Sequence, residues 1–141
     1  MSETARLKLR VGWGDCDPAG IVFYPNFFRW FDDATAHLFA MLGMPLPELQ
    51  ARYGALGIPL LEASAKFAAP ARPQEEIEVR SRIVAVNTKT IELRHEIFRD
   101  TTLLLSGREV RVWAMVDQTR PQGIRAEPIP AEVAERLAAA G

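Results

Sequence analysis

The sequence predicts an α+β fold in which an antiparallel sheet curls around one long helix. Three observations predict it: one early strand pattern, one heavily apolar helical pattern, and a run of long strand patterns joined by short connections. Elements segregated along the chain in this way are typical of an antiparallel sheet that packs on a helix. The length of 141 residues is that of one domain, so we expect residues 1–141 to form a single domain.

The first predicted elements are a strand, a turn and a long helix. Apolar residues alternate with arginine and lysine from Arg6 to Val11, as in a half-buried strand. After a turn at residues 15–20, Pro25 suits the first position of a helix whose apolar residues recur at helical spacing until Gly43. This helix is apolar around much of its circumference, so we expect other elements to wrap it.

Most of the remaining chain is predicted to be strand, after a short helix over Pro47–Tyr53. The connections "APARP", "NTK" and "DTT" are rich in residues that favour turns. They separate four predicted strands, which are Pro59–Ala68, Glu75–Val86, Thr90–Arg99 and Leu103–Asp117. A short extended piece near Ile124–Ile129 and a terminal helix over "PAEVAERLAAAG" complete the chain. Long strands leave an open sheet edge, so we expect sheets to pair between subunits.

In two of these predicted strands, the alternation of side chains shows which residues share a face. In Thr90–Arg99, one face carries Ile91, Leu93, His95 and Ile97. In Leu103–Asp117, the alternation predicts one apolar face and one mixed face. The first would hold Val110, Val112, Ala114 and Val116, and the second Arg111, Trp113 and Met115.

Composition and charge exclude several classes of function. The 17 basic and 18 acidic residues are spread along the chain and form no basic block, so nucleic acid is not an expected partner. No apolar run approaches the roughly 18 to 20 residues of a membrane span, and the N-terminus lacks the apolar region of a signal peptide. We therefore expect a cytoplasmic protein that does not associate with membranes.

Familiar catalytic and cofactor motifs do not occur in the sequence. GxSxG, HExxH, CxxC and Gly-rich phosphate loops are all missing. With one cysteine and with His37 and His95 as the two histidines, no recognisable metal-ligand spacing exists. The sequence predicts neither a metal nor a cofactor. Cys16 is interpreted as a buried, unreactive thiol rather than a nucleophile.

The stretch "DCDPAGIVFYP" raises the question of whether Asp15 or Asp17 performs chemistry. An aspartate beside proline and glycine commonly caps its own turn, and these residues alone favour that interpretation. The alternative is a carboxylate nucleophile or general base at the start of the helix. Tyr24 precedes a proline and is predicted to be extended, which would leave its N–H free to bind a polarised carbonyl near the positive end of the helix dipole.

The stretch "GDCDPAGIVFYPNFFRWFD" resembles the signature of the hot-dog-fold thioesterases, specifically the 4-hydroxybenzoyl-CoA thioesterase type. The likeness is dense from Gly14 to Asp32 and looser as far as Met115. It implies an antiparallel sheet of about five strands wrapped around a central helix. It also implies a homotetramer, built as a dimer of dimers, whose active sites lie at subunit interfaces.

The resemblance also implies roles for individual residues. Asp17 would be the catalytic carboxylate, attacking the thioester or activating water, and the Tyr24 N–H would polarise the thioester carbonyl. Asp32 aligns with the acid that meets the 4-hydroxyl of the benzoyl ring, and Phe23 and Trp30 flank the motif as candidates for an aromatic acyl pocket. Asp15 is expected to be a turn or cap residue.

The sequence departs from the family pattern at three places. Related short-chain thioesterases often carry a histidine where this chain has Tyr24. The family's threonine before a proline is Ile58 here, followed by Pro59. A pair of arginines in the hairpin aligns with Asn87 and Thr88, which leaves Lys89 as the candidate contact for CoA.

The sequence therefore predicts an acyl-CoA thioesterase that hydrolyses an aryl-CoA, similar to 4-hydroxybenzoyl-CoA, or a short acyl-CoA. Alternatives are a thioesterase for aliphatic, phenylacetyl-type or acyl-carrier-protein substrates, and a non-catalytic domain that binds acyl-CoA. A dehydratase of the same fold is disfavoured, because His37 lies well down the helix from Tyr24.

Overall fold

The computed structural model describes residues 3–141 and begins with the predicted strand and long helix. Strand β1 spans Ala5–Arg10 and helix α1 spans Pro25–Met41, with the proline in the first turn as predicted. Helix α2 spans Leu46–Tyr53 and is followed by Gly54, whose φ of 65° is the left-handed conformation that ends helices. The later elements are β2 (Leu60–Phe67), β3 (Glu76–Val86), β4 (Thr90–Arg99), β5 (Thr102–Val112), β6 (Ala114–Val116), β7 (Ile124–Ala126) and α3 (Ala131–Ala140).

Five strands form one antiparallel sheet in the order β1, β3, β4, β5, β2. Strand β4 is central, and its predicted inner face is confirmed, because Ile91, Leu93, His95 and Ile97 are all fully buried. Helix α1 lies across this face, with Phe27, Trp30 and Phe31 in the same apolar cluster as residues of β1, β3, β4 and β5. The predicted α+β class, with a sheet packed on one long helix, is confirmed.

Gly107 allows α1 to lie close to the sheet. A Cβ atom at this position of β5 would overlap the Phe31 ring, so a side chain larger than hydrogen would require the ring, or the helix that carries it, to shift. The Phe31 ring also stacks on His95 of the neighbouring strand, with ring centroids 4.7 Å apart. The contact between helix and sheet therefore depends on the absence of a side chain at this one position.

The prediction of one continuous strand over Leu103–Asp117 is wrong. The chain leaves the main sheet at Trp113, whose N–H donates to the carbonyl of Lys89 at 2.8 Å. The next residue, Ala114, donates to the carbonyl of Gly57 at 3.1 Å, and the chain continues as β6, which pairs with β7 in a separate two-stranded sheet. The buried Trp113 side chain marks this change of direction.

Within β5 the predicted alternation is confirmed, because Val110 and Arg111 lie on opposite sides of the sheet. Glu109 and Arg111 are buried on the side of the sheet that faces α1, whereas Val110 is half-buried on the other side. Charged residues tolerate this position because they are hydrogen-bonded to one another and to α1, as described below. The alternation of the strand is real, but the polar residues lie inside.

Two surfaces of the chain remain open. Strand β2 is one of the two edge strands of the main sheet, and its apolar residues Leu60, Leu61 and Phe67 are exposed. The side of α1 away from the sheet is also exposed, at Asp33, Ala36, His37, Ala40 and Met41. Helix α1 is thus covered by its own chain on the sheet side. No helix within residues 3–141 has both the length and the apolar character needed to cross a membrane.

Candidate active site

Asp15 holds the loop between β1 and α1 in place, and its predicted structural role is confirmed. Its Oδ2 accepts the Gly12 N–H at 2.8 Å and its Oδ1 accepts from Arg29 of α1 at 2.9 Å. Its carbonyl accepts from the Asn26 side chain at 2.8 Å and from the Phe23 N–H at 2.9 Å. Both carboxylate oxygens are therefore occupied within the chain, and the loop is attached to the first turns of α1.

Asp17 uses one carboxylate oxygen in its turn and leaves the other available. Its Oδ1 accepts the Ala19 N–H at 2.9 Å, as in a turn capped by aspartate. Its own N–H donates to Ile21 at 3.0 Å, and its carbonyl accepts from Gly20 at 2.9 Å. Oδ2 has no hydrogen-bond partner within residues 3–141, and the residue is only half-buried. The turn fixes the carboxylate while one oxygen stays free to react.

Cys16 has the surroundings of an unreactive thiol. Its Sγ donates to the carbonyl of Gly12 at 3.7 Å. Burial raises the pKa of the Cys16 thiol, and the nearby carboxylates of Asp15 and Asp17 raise it further, so the nucleophilic thiolate is disfavoured. No group of three or more His, Cys, Asp or Glu side chains in residues 3–141 is arranged to hold a metal ion.

The prediction that Tyr24 is extended is wrong, but its N–H is available. Tyr24 has φ of −55° and ψ of −32°, which is helical, although a following proline disfavours that region. Two turn bonds offset this cost: Asn26 N–H donates to Phe23 at 3.0 Å and Phe27 N–H donates to Tyr24 at 3.1 Å. The Tyr24 N–H itself donates to no residue in the described part of the chain, and Pro25 has no N–H. Tyr24 therefore supplies a free donor at the start of α1.

Asp32 lies on the exposed side of α1 and forms an ion pair with a buried arginine. Its Oδ1 accepts from Nη2 of Arg111 at 2.7 Å, and the exposed fractions of the two side chains are 66% and 6%. Arg111 also donates through Nη1 to the carbonyl of Ile58 at 3.0 Å. The structure thus brings Asp32 and the Ile58 backbone, both predicted site residues, to one guanidinium group.

Beneath Arg111 lies a buried polar network that sequence reasoning missed. Glu109 accepts from Arg111 at 2.8 Å and 3.2 Å, from Thr35 at 2.6 Å, and contacts Nε2 of His95 at 2.8 Å. The other ring nitrogen of His95 contacts the Ser81 hydroxyl at 2.6 Å. Burial alone would raise the pKa of Glu109, but the hydrogen bonds from His95 and Arg111 outweigh it and lower this pKa to about 2.

The signal for this network was present in the sequence but could not be interpreted there. Glu109 and Arg111 are two residues apart and so share a face of the strand. Whether that face meets His95 depends on the pairing of β5 with β4, in which His95 lies opposite Gly107 and Leu93 lies opposite Glu109. Register is set by the tertiary fold, so the strand pattern alone does not show which face of this strand is buried.

The other predicted site residues occupy different surroundings. Phe23 is half-exposed, and its ring meets Tyr24 edge-on at 5.5 Å. Trp30 is buried in the core. Pro59 is half-buried, and its carbonyl accepts a backbone N–H from the end of β5. Lys89 is exposed at the tip of the hairpin between β3 and β4. Within one chain, Asp17, Phe23 and Tyr24 belong to one loop, and Asp32 lies two helical turns beyond it.

Comparisons with known proteins show which family this sequence matches. The sequence model of the thioesterase-like superfamily matches residues 11–137. The 4-hydroxybenzoyl-CoA thioesterase of Pseudomonas sp. (strain CBS-3) is 32% identical over 141 residues, which cover 96% of this chain and 98% of the relative.

Solved structures give the same result. The three-dimensional structure of 4-hydroxybenzoyl CoA thioesterase from Pseudomonas sp. strain CBS-3 matches with a TM-score of 0.87 and 31% identity, covering 96% of this chain and 99% of the other. A gentisyl-coenzyme A thioesterase matches with a TM-score of 0.80 and 34% identity, covering 94% and 98%. The predicted hot-dog fold, with five strands packed on the central helix, is confirmed.

Proposed function

The chain belongs to the thioesterase-like superfamily, and from that membership we propose that it hydrolyses an aryl-CoA thioester, similar to 4-hydroxybenzoyl-CoA, to the free acid and CoA. One observation carries the proposal. The carboxylate of Asp17, with an unoccupied Oδ2, belongs to the same loop as a free N–H at Tyr24. A carboxylate and a hydrogen-bond donor for the carbonyl oxygen are what cleavage of a thioester requires.

We propose Asp17 as the catalytic carboxylate, by either of two routes. As nucleophile, its Oδ2 attacks the thioester carbonyl carbon, the C–S bond breaks, the CoA thiolate leaves and takes up a proton, and water then cleaves the acyl-aspartyl anhydride. As general base, it removes a proton from the water that attacks the same carbon, and the C–S bond then breaks, so that the CoA thiolate leaves and takes up the proton. Both routes leave the turn bond from Ala19 to Oδ1 in place.

In both routes negative charge develops on the thioester carbonyl oxygen. The Tyr24 N–H, at the positive end of the α1 dipole, is the proposed donor to this oxygen. A single donor of this type contributes on the order of 3 kcal/mol to the transition state. Because this donor is a backbone group, its position depends on the turn bonds from Asn26 and Phe27 rather than on the tyrosine ring.

The proposed acyl pocket begins at this helix terminus. Asp32 follows Pro25 by seven residues, or two turns, which places it on nearly the same side of α1 and about 10 Å further along the axis. That spacing suits an aromatic ring whose carbonyl points to Tyr24 and whose para substituent points to Asp32. We propose Phe23 and Trp30 beside the ring, Ile58 and Pro59 along the pantetheine arm, and Lys89 as a contact for a CoA phosphate.

We further propose a homotetramer, built as a dimer of dimers, whose active sites lie at subunit interfaces. The exposed apolar residues of the free β2 edge support pairing with a second copy. Surface cavities of about 450 Å³ and 400 Å³ lie on the outer face of the sheet, and Asp17, Tyr24 and Asp32 line neither. A partner subunit would thus complete the acyl pocket. A cytoplasmic location and a single domain over residues 1–141 stay predictions from the sequence.

The test of the catalytic assignment is the variant Asp17→Asn. We expect kcat for thiol release to fall roughly a thousandfold or more, with an unchanged melting temperature and oligomeric state, because only one exposed oxygen changes its chemistry. Asp100→Asn is the matched control, since Asp100 lies in an exposed turn with φ of 52°, which asparagine adopts readily. Turnover near the wild-type value in Asp17→Asn contradicts the assignment.

The substrate range is tested with a panel of thioesters. We propose measuring kcat/KM for 4-hydroxybenzoyl-, benzoyl-, phenylacetyl- and hexanoyl-CoA and expect the hydroxylated aryl substrate to be preferred. A clear preference for hexanoyl-CoA would point to the aliphatic alternative. Tight binding of these compounds without thiol release would point to a non-catalytic binding domain.

A further inference from the structure

Within the described chain, the side chain of the exposed Asp32 hydrogen-bonds to one residue, the buried Arg111. Oδ1 of Asp32 accepts from Nη2 of Arg111, and no residue of the described chain hydrogen-bonds to its Oδ2. A carboxylate paired on an exposed helix surface usually keeps much of its rotational freedom. Here the partner is almost fully buried, so the freedom of Asp32 depends on how firmly Arg111 is held.

Besides Asp32, two groups hold Arg111: the Glu109 carboxylate and the Ile58 carbonyl. Its Nε and Nη2 both donate to Glu109, at 3.2 Å and 2.8 Å, and its Nη1 donates to the carbonyl of Ile58 at 3.0 Å. Glu109 is itself fixed by Thr35 of α1 and by His95 of β4. The planar guanidinium therefore has one orientation, set by the sheet, the helix and the segment before β2. Asp32 docks on a rigid donor.

The charges in this cluster leave an acceptor at the surface. Arg111 carries one positive charge and contacts two carboxylates, Glu109 and Asp32. Burial lowers the pKa of Arg111, but Glu109 and Asp32 raise it to a larger extent, so the guanidinium stays charged. The three groups together carry a formal charge of −1, and the exposed end of the cluster is the free oxygen of Asp32. This end accepts a hydrogen bond and repels an anion.

We propose that Arg111 is a positioning residue that acts through Asp32 to select acyl groups whose far substituent is an uncharged hydrogen-bond donor, such as a phenol hydroxyl or an aromatic amine. This inference rests on the proposed function, since it assumes that the acyl group extends from the α1 terminus towards Asp32. It adds that a carboxylate substituent is rejected, because Arg111, the cation that pairs with Asp32, is already shared by two carboxylates.

The test compares substrates that differ at one position. In the wild type we expect kcat/KM to be higher for 4-hydroxybenzoyl- and 4-aminobenzoyl-CoA than for benzoyl-CoA, and lowest for 4-carboxybenzoyl-CoA. Arg111→Lys keeps the charge but loses the fixed fork, so the ratio of 4-hydroxybenzoyl to benzoyl kcat/KM should fall roughly tenfold. Arg94→Lys is the matched control, because Arg94 is exposed on the outer face of the sheet, and the ratio should not change.

A double-variant cycle separates positioning from a merely structural role. Asp32→Asn should lower the same ratio, and Arg111→Lys combined with Asp32→Asn should lower it no further, since the arginine acts through the aspartate. Equal losses on the two substrates in Arg111→Lys overturn the inference. The inference is also overturned if the double variant lowers the kcat/KM ratio by the product of the two single-variant effects. A wild type that prefers the 4-carboxybenzoyl substrate overturns it as well.

A second variant is used if Arg111→Lys does not fold. Glu109→Asp moves the partner of Arg111 without changing any charge, and we expect the same fall in the ratio of 4-hydroxybenzoyl to benzoyl kcat/KM. If the wild type releases no thiol, the proposed function fails. The inference is then tested by the dissociation constants of non-hydrolysable 4-hydroxybenzyl, benzyl and 4-carboxybenzyl thioethers of CoA, for the wild type and Asp32→Asn. An identical order of affinities in both proteins, or no binding, overturns it.

Discussion

The buried carboxylate of Glu109 makes the stability of the fold dependent on pH. Its pKa is lowered from 4.5 to about 2 in the folded chain, where its side chain is 1% exposed. Since the folded pKa is depressed, the charged network stabilises the fold fully above about pH 4.5, and this contribution is lost as the pH falls towards 2. The shift corresponds to about 3 kcal/mol, because one pKa unit is about 1.4 kcal/mol.

Glu109→Gln tests this reasoning, because it keeps the size of the side chain and removes the titrating group. At pH 7 we expect the free energy of unfolding to fall by about 3 to 5 kcal/mol, since Arg111 loses its buried counter-ion. The difference between wild type and variant should then shrink by about 3 kcal/mol between pH 5 and pH 2, because the wild type loses the same charge by protonation.

The measurement is urea unfolding at fixed protein concentration, at pH steps from 7 to 2. Glu76→Gln is the matched control, because Glu76 pairs with Arg10 at the surface and is 76% exposed. We expect this control to cost less than about 0.5 kcal/mol at every pH. A difference between wild type and Glu109→Gln that does not change from pH 5 to pH 2 would refute the assigned ionisation of Glu109.

Two further predictions concern packing and assembly. Gly107→Ala should lower the free energy of unfolding by about 1 to 3 kcal/mol or more in thermal or urea unfolding, since the new Cβ would meet Phe31, whereas Gly14→Ala, with open space around it, should be nearly neutral. Leu61→Arg, at a residue 62% exposed on the β2 edge, should convert the proposed tetramer to smaller species in light scattering coupled to size-exclusion chromatography. A wild type that is already monomeric, or a tetrameric Leu61→Arg, contradicts the proposed use of this edge.

The features that the sequence predicted correctly are those controlled by local chemistry. Hydrophobic periodicity and the position of Pro25 were enough for α1, and the alternation of β4 was enough for its buried face, including His95. The proline and glycine beside Asp17 also allowed a turn to be predicted before α1. In each case the deciding information lies within a few residues of the feature, so no knowledge of distant partners was needed.

Among the features that it predicted wrongly or left open, the end of β5 and the burial of Glu109 and Arg111 depend on partners far away in the chain, whereas the conformation of Tyr24 depends on local turn bonds. Trp113 leaves the main sheet because the carbonyls of Lys89 and Gly57 accept hydrogen bonds at this point. Tyr24 is helical because turn bonds from the residues after it outweigh the effect of the following proline. The positions of Glu109 and Arg111 follow from strand register. A single sequence specifies none of these long-range contacts explicitly.

The buried network raises the question of why Glu109 and Arg111, beneath the proposed active-site side of α1, are charged rather than apolar. A core of apolar side chains would fill the space under α1 at least as favourably as Glu109 and Arg111, because burying charges carries a desolvation cost that their pairing repays only with good geometry. An apolar residue at 111 would, however, leave Asp32 without a partner on an exposed helix surface, free to rotate. The charged pair is therefore not required for stability. Its effect is to fix the Asp32 carboxylate two helical turns from the Tyr24 N–H. We therefore expect loss of the Glu109 charge to act first on the free energy of unfolding, and loss of the Asp32 carboxylate to act on the acyl selectivity that we propose for it.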